Sequence, residues 1–318
     1  MGLVGDVLGI NVKTAAGSRM TEGHGEDTSV ARFGSTTRHE NAVPQVLISV
    51  RDVAEAEEAW HGGARWLDIK EPQRGSLGAS DQHVQMAIAR RFAGRAWLSV
   101  AAGELLHFTH APTIPCWAVK VGLAGCTYEP HWPQRFEQLA ESLRRSSSFR
   151  RSFPQVAESL AISASAMLRA PWLVAVAYAD AERAAAPDVA TVLETAMARR
   201  WPAVMIDTWS KNGRCLFDYL TPEFLADWSG RLRRAGIALG LAGSLRLEHA
   251  ELLQTIAPFI VAFRGAVCRN HQREQSLCRD RVRQVLRRFQ GEEASGRREE
   301  VLDTTCREGA SGLPGERR

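Results

Sequence analysis

Eight short, nearly unbroken apolar runs recur along the middle of this chain, with a segment of helical character between most of them. They fall at residues 45–50 (QVLISV), 65–70 (RWLDIK), 96–101 (AWLSVA), 116–121 (CWAVKV), 171–177 (PWLVAVA), 203–207 (AVMID), 237–241 (IALGL) and 259–263 (FIVAF). Continuous apolar runs, rather than a clean alternation with polar residues, mark parallel strands covered on both faces. Helices are expected at about 51–60, where alanines and acidic residues lead to Gly62-Gly63, then at 81–91, 133–146, 155–168, 187–199, 221–235 and 246–256. A final arginine-rich helix is expected near 275–290. Eight strands alternating with helices predict an α/β fold, a (β/α)8 barrel. A doubly wound open sheet is the competing fold, and no GxGxxG loop follows the first strand to support it. The third unit is the weakest, because residues 103–115 offer only a short helix around Leu105–Phe108.

The flanks carry no such period. Residues 1–42 are rich in Gly, Ser, Thr and charge and read as a flexible extension; 291–318 read as a disordered tail; 43–290 remain for the barrel. The serine-rich stretch 146–154 reads as a loop or helix break at the barrel's bottom edge. A chain of 318 residues with 45% apolar composition accommodates one barrel of roughly 250 residues plus tails. The net charge of +4 is dispersed and lacks a basic stripe with interleaved aromatics, which argues against a nucleic-acid partner. Six cysteines show no CxxC or metal-ligand spacing, so a reducing cytoplasmic compartment and no bound metal are expected. No window approaches a membrane span and no signal-peptide pattern opens the chain, so no membrane partner is expected.

Lysine usage points to chemistry. Of 40 basic residues only Lys13, Lys70, Lys120 and Lys211 are lysine. Lys13 lies in the polar N-terminal stretch, whereas Lys70 and Lys120 end strands and Lys211 closely follows one. Arginine keeps its proton under all ordinary conditions, but a buried lysine can lose its own, and only a neutral amine adds to a carbonyl to form an imine. Barrel chemistry gathers at the C-terminal ends of the strands. There the sequence places Asp68 and Lys70, Lys120, Tyr178 and Asp180, Asp207, Gly243 and Ser244, and Arg264 and Gly265. Alternate strands share an inward layer, so Lys70, Lys120 and Asp207 are expected to converge. Lys120 would then lower the pKa of Lys70 by cationic repulsion, with Asp207 keeping one partner protonated. The turns at Leu241–Leu245 and Phe263–Val267 offer backbone N–H groups where many barrels hold a phosphate, and Arg264 could add a bidentate contact. Gly122 opens room beside the Lys120 amine.

The segments LISVRDVAEAEEAWHGGARWLDIKEPQRGSLGA, AVKVGL, VAVAYAD, MIDTWSKNGRCLFDYL, LAGSL and FRGAVC, in that order from about residue 45 to 288, resemble the (5-formylfuran-3-yl)methyl phosphate synthase family of methanofuran biosynthesis. The resemblance implies a class I aldolase-like barrel, a carbon–oxygen lyase acting on phosphates. Two molecules of glyceraldehyde 3-phosphate would join into a phosphorylated furancarboxaldehyde, with loss of phosphate and water. It further implies Lys70 as the Schiff-base lysine, from the D-[VI]-K-x-P motif, and Lys120 as proton acceptor, from K-V-G-L. Asp207 and Lys211 stand on the D-T-x-x-K-x-G pattern, and the principal base among Lys120, Lys211 and Asp207 stays open. Asp68, Gly243, Ser244, Arg264 and Gly265 are the expected substrate and phosphate contacts. The region AAGELLHFTHAPTIP departs from the family pattern and contributes no expected site residue. A homo-oligomer acting on a small phosphorylated triose, without cofactor, is expected. The alternatives are another Schiff-base aldolase for a small phosphorylated sugar, or a non-catalytic barrel that binds a phosphorylated ligand.

Overall fold

The computed structural model describes residues 43–145 and 170–290. The expected N-terminal extension, serine-rich loop, helix at 155–168 and C-terminal tail lie outside the described residues. Eight strands close in sequence order into a parallel barrel: β1 (Gln45–Val50), β2 (Trp66–Ile69), β3 (Trp97–Glu104), β4 (Ala118–Gly122), β5 (Trp172–Tyr178), β6 (Ala203–Asp207), β7 (Ala238–Leu241) and β8 (Ile260–Phe263). Strand β8 returns to β1 with Val46 opposite Val261, which closes the sheet and rules out the open doubly wound alternative.

The described helices are α1 (Val53–His61), α2 (Gln82–Phe92), α3 (Trp132–Arg145), α4 (Ala181–Ala184), α5 (Val189–Ala198), α6 (Pro222–Arg234), α7 (Ala250–Ile256) and α8 (Arg279–Gln290). Their starts follow from local chemistry. Asp52 accepts the Glu55 N–H at 2.8 Å to cap α1, Asp188 accepts that of Thr191 at 2.9 Å to cap α5, and Thr221 followed by Pro222 opens α6. Two differences between the observed and expected strand ends bear on the site. Lys70 lies one residue past the end of β2, and β3 continues past Ala101 to Glu104 through a register irregularity.

The twofold period of the strands sorts their side chains into two cores. Val46, Ile48, Leu67, Ile69, Val119, Val121, Ile206 and Val261 face the helices in one cluster, while Leu47, Ala101, Ala118, Val174, Val176, Met205 and Ile260 fill the barrel in a second. The floor of the barrel is aromatic. Trp66 stacks on Trp97 at 5.3 Å and meets Trp117 and Phe259 edge-on at 5.0 and 6.0 Å, and Trp117 meets Trp172 at 6.0 Å. Above that floor lies a cavity of about 20 Å³, lined in part by Ser99, Lys120, Val174 and Met205. Such a volume holds about one water molecule, too little for a metabolite.

Candidate active site

Six polar residues interrupt the interior on the mouth side: Ser49, Asp68, Lys70, Ser99, Lys120 and Asp207 are all buried. Their pairing separates the three described lysines. Lys120 Nζ forms an ion pair with Asp68 Oδ2 at 2.6 Å, and that fully buried carboxylate also accepts Ser99 Oγ at 2.7 Å and Ser49 Oγ at 3.3 Å. Lys211 Nζ pairs with Asp207 Oδ1 at 3.0 Å and also donates to Thr208 O at 2.7 Å. Lys70 Nζ reaches only the carbonyl of Ser76, at 3.4 Å, and has no carboxylate within ion-pair distance among the described residues. Burial is the main reason that its pKa falls to about 7; Asp207 and Asp68 oppose the fall, and Lys120 and Lys211 add to it. The expected direction is therefore present, but desolvation leads and cationic repulsion is secondary.

Asp207 sits at the centre of the hydrogen bonds at the mouth. Ser76 Oγ donates to its Oδ2 at 2.9 Å and the Thr208 N–H to its Oδ1 at 2.7 Å. Burial pushes this carboxyl up, but Lys211, Lys70 and the donated hydrogen bonds outweigh it and hold the pKa at about 2. Asp207 is thus a permanent anion that ties the loop after β2, through Ser76, to the end of β6. Asp180 closes the neighbouring loop by accepting the Trp209 and Ser210 N–H groups at 2.6 and 2.8 Å.

Glu104 was not among the residues expected from the sequence. It ends β3 with one carboxylate oxygen accepting Tyr178 Oη at 2.7 Å and the other accepting the Ala124 N–H at 2.9 Å. A small-residue Ala-Ala-Gly run before it concealed that the strand continues; the signal available was a lone carboxylate after a strand-like run.

On the opposite rim the residues expected to hold phosphate divide. Gly243 and Ser244 have φ of 108° and 50°, and their N–H groups donate to no described residue. Backbone N–H groups left free at a strand end can meet an anion. Glycine is required at 243 on two counts: its left-handed φ, and a Cβ that would approach the Thr208 amide nitrogen to 3.1 Å. Gly265 opens a short turn, Gly265–Val267, beside it. Two expected contacts need correction. Arg264 spends all five N–H donors inside the protein: Nε on Arg273 O at 2.8 Å, Nη1 on Ser49 O at 3.0 Å and Glu55 Oε2 at 2.5 Å, and Nη2 on Glu55 Oε1 at 3.0 Å and Gln275 O at 3.1 Å. It has none left for a bidentate phosphate contact, and its role is to fasten β8 to α1. Asp68 is likewise closed off by Lys120 and two serines. The arginine that retains unused donors is Arg273: Nη2 bonds Pro72 O and Gly75 O, each at 3.0 Å, while its buried Nε has no partner among the described residues.

Fold and site together define a (β/α)8 barrel whose mouth carries one unpaired amine beside two amine–carboxylate pairs. A solved structure of phosphoribosyl anthranilate isomerase from Thermotoga maritima superposes with TM-score 0.50 at 14% identity, covering 78% of this chain and 99% of that one, a likeness of fold alone. The model of the 4-HFC-P synthase family matches residues 46–286. The (5-formylfuran-3-yl)methyl phosphate synthase of Methanocaldococcus jannaschii is 30% identical over 228 residues, covering 72% of this chain and 92% of its own length. That of Methanopyrus kandleri is 30% identical over 250 residues, covering 75% and 95%. A putative synthase of the same name from Methylorubrum extorquens is 29% identical over 256 residues, covering 77% and 92%. This chain belongs to the 4-HFC-P synthase family.

Proposed function

We propose that this chain makes (5-formylfuran-3-yl)methyl phosphate from two molecules of glyceraldehyde 3-phosphate, with loss of one phosphate and water, through an imine on Lys70 and in the service of methanofuran-type coenzyme synthesis. The name of its relatives supports the product. The observation that carries the chemistry is that, among three described lysines, only Lys70 lacks a carboxylate partner, and burial keeps much of it neutral near pH 7. Lys70 adds to the aldehyde to give a carbinolamine. The Lys120 ammonium, paired with Asp68, gives a proton to the departing hydroxyl, and water leaves. The now neutral Lys120 takes the proton from the carbon next to the iminium, forming the enamine and restoring the ammonium. The enamine carbon attacks the second aldehyde. Asp207 remains an anion that offsets the positive charge of the iminium. Incubation with glyceraldehyde 3-phosphate, followed by mass and ultraviolet analysis, tests the reading. A furan aldehyde phosphate is the expected product; a simple aldol adduct would point to the related aldolase, and binding without turnover to a ligand-binding barrel.

For the phosphate, the reading places the free N–H groups of Gly243 and Ser244 and the Gly265 turn on one side, with Arg273 supplying the charge that Arg264 cannot. Arg273→Ala should raise KM by about tenfold or more, the scale of one charge-assisted hydrogen bond of ~1.5–3 kcal/mol, with kcat less affected. Arg264→Ala should instead take away one of the two arginines that hold Glu55, leaving Arg51 at 2.6 Å, and should cost about 1–3 kcal/mol of stability through the lost charged hydrogen bonds. Its melting temperature should drop by at least ~2 °C. Calorimetry and steady-state kinetics on the two variants separate the roles, and a stable Arg264→Ala enzyme with a high KM would restore the phosphate contact to Arg264.

A further inference from the structure

Gly122 lies two residues beyond Lys120 on β4, so it faces the interior as Lys120 does, about 7 Å nearer the mouth. A Cβ at this position would lie far inside contact distance of both Glu104 Oε2 and Tyr178 Oη. The carboxyl and the phenol therefore occupy the space that a side chain at 122 would fill. Glu104 arrives from β3, where it pairs in register with Gly122, and Tyr178 from the end of β5, so the two meet across β4 above Lys120. Glu104 is partly open to the mouth, and its two hydrogen bonds leave acceptor capacity on both oxygens.

We propose that Glu104, held by Tyr178 over Gly122, is the catalytic acid that protonates the oxygen of the second aldehyde as the enamine attacks it. The assignment rests on the imine chemistry proposed for Lys70. In this step the enamine carbon forms the new C–C bond, the C=O π pair moves to oxygen, and that oxygen takes the proton from the Glu104 carboxyl. The iminium returns on Lys70, and the carboxylate is reprotonated from water at the mouth. Two of the other carboxyls near the mouth are unsuited. Asp207 is held ionised, and Asp68 is enclosed by Lys120 and two serines. For Glu104, burial raises the pKa; the hydrogen bonds from Tyr178 and Ala124 and the nearby His107 oppose the rise, and Asp207 reinforces it. Cys126 faces the same carboxyl, and its thiol is pushed up to about 12, mainly by burial, so it stays neutral. A rise in this direction favours the protonated carboxyl, the form that donates a proton.

Glu104→Gln and Tyr178→Phe test the assignment with step-resolved readouts on the full chain. In Glu104→Gln, furan formation should fall by about 10²–10⁴-fold, while borohydride trapping at Lys70 and deuterium wash-in at the carbon beside the aldehyde persist within a few-fold of wild type. Tyr178→Phe removes a bond that favours the carboxylate, so the alkaline fall in kcat should move to higher pH. The assignment is overturned if trapping, wash-in and product all fall together, which would mark a structural role. It is equally overturned if Glu104→Gln makes product at the wild-type rate, or if the alkaline limb of Tyr178→Phe stays in place. Wild-type enzyme with neither trapping nor wash-in would remove the imine chemistry itself, and the acid with it. Where wild type shows both, any of the three failures in the variants overturns Glu104 alone.

Discussion

Borohydride added during turnover should fix the mass of the triose on the peptide that contains Lys70, and Lys70→Arg should remain unlabelled. Imine formation needs a neutral primary amine, which a guanidinium cannot supply at any ordinary pH. Lys120 and Lys211 are tied to carboxylates at 2.6 and 3.0 Å, whereas Lys70 is buried with only a carbonyl at 3.4 Å. Turnover by Lys70→Arg should drop by about 10⁴–10⁶-fold, the scale seen when a covalent nucleophile is removed from other enzymes. The pH dependence has a definite sign. Since the reacting form is the deprotonated one, the acidic limb of kcat/KM, which reports the free enzyme, should rise as pH increases through about 7. An unperturbed lysine would place that limb above pH 10. Labelling at Lys120 or Lys211, or a limb near 10, would reassign the nucleophile.

How much of this was legible in the sequence depends on what each residue required. The barrel was legible because parallel strands covered on both faces leave continuous apolar runs such as VAVAY and AVMID, and period two then fixes which residues face inward. Lys70, Lys120 and Asp207 could be placed at the mouth because each ends such a run. Partner choice could not be read in the same way. Asp68 joins Lys120, rather than a phosphate, because the strand register brings β2 and β4 side chains together across the inside of a closed barrel. Arg264 looked available in sequence, yet Glu55, which lies 209 positions earlier on α1, takes two of its donors. Glu104 was hidden for a different reason: an irregular register carries β3 past a glycine-containing segment, and only the missing side chain at Gly122 makes room for its carboxyl.

The Lys120–Asp68 pair should show strong coupling in a double-mutant cycle. Both partners are nearly sealed, with side-chain exposures of 5% and 0%, so Lys120→Met leaves a carboxylate, and Asp68→Asn an ammonium, buried without its counter-charge. Each single change should cost about 3–5 kcal/mol, equivalent to a fall of roughly 6–20 °C in melting temperature. The double variant removes both charges and should be more stable than either single one, because two apolar or neutral groups of similar volume tolerate this environment far better than one unpaired charge. Asparagine can still accept from Ser99 through Oδ1 and donate to Ser49 Oγ through Nδ2, so loss of those hydrogen bonds does not explain the outcome. Activity should behave differently from stability. Lys120→Met lacks the group that gives a proton to the departing hydroxyl and then takes the neighbouring C–H proton, so trapping at Lys70 should slow, deuterium wash-in should vanish, and turnover should fall by about 10²–10⁴-fold. The double variant should regain thermal stability without regaining wash-in. Additive losses in melting temperature would show that the pair is not coupled in the folded protein, and full wash-in by Lys120→Met would move the base to Lys211 or Asp207.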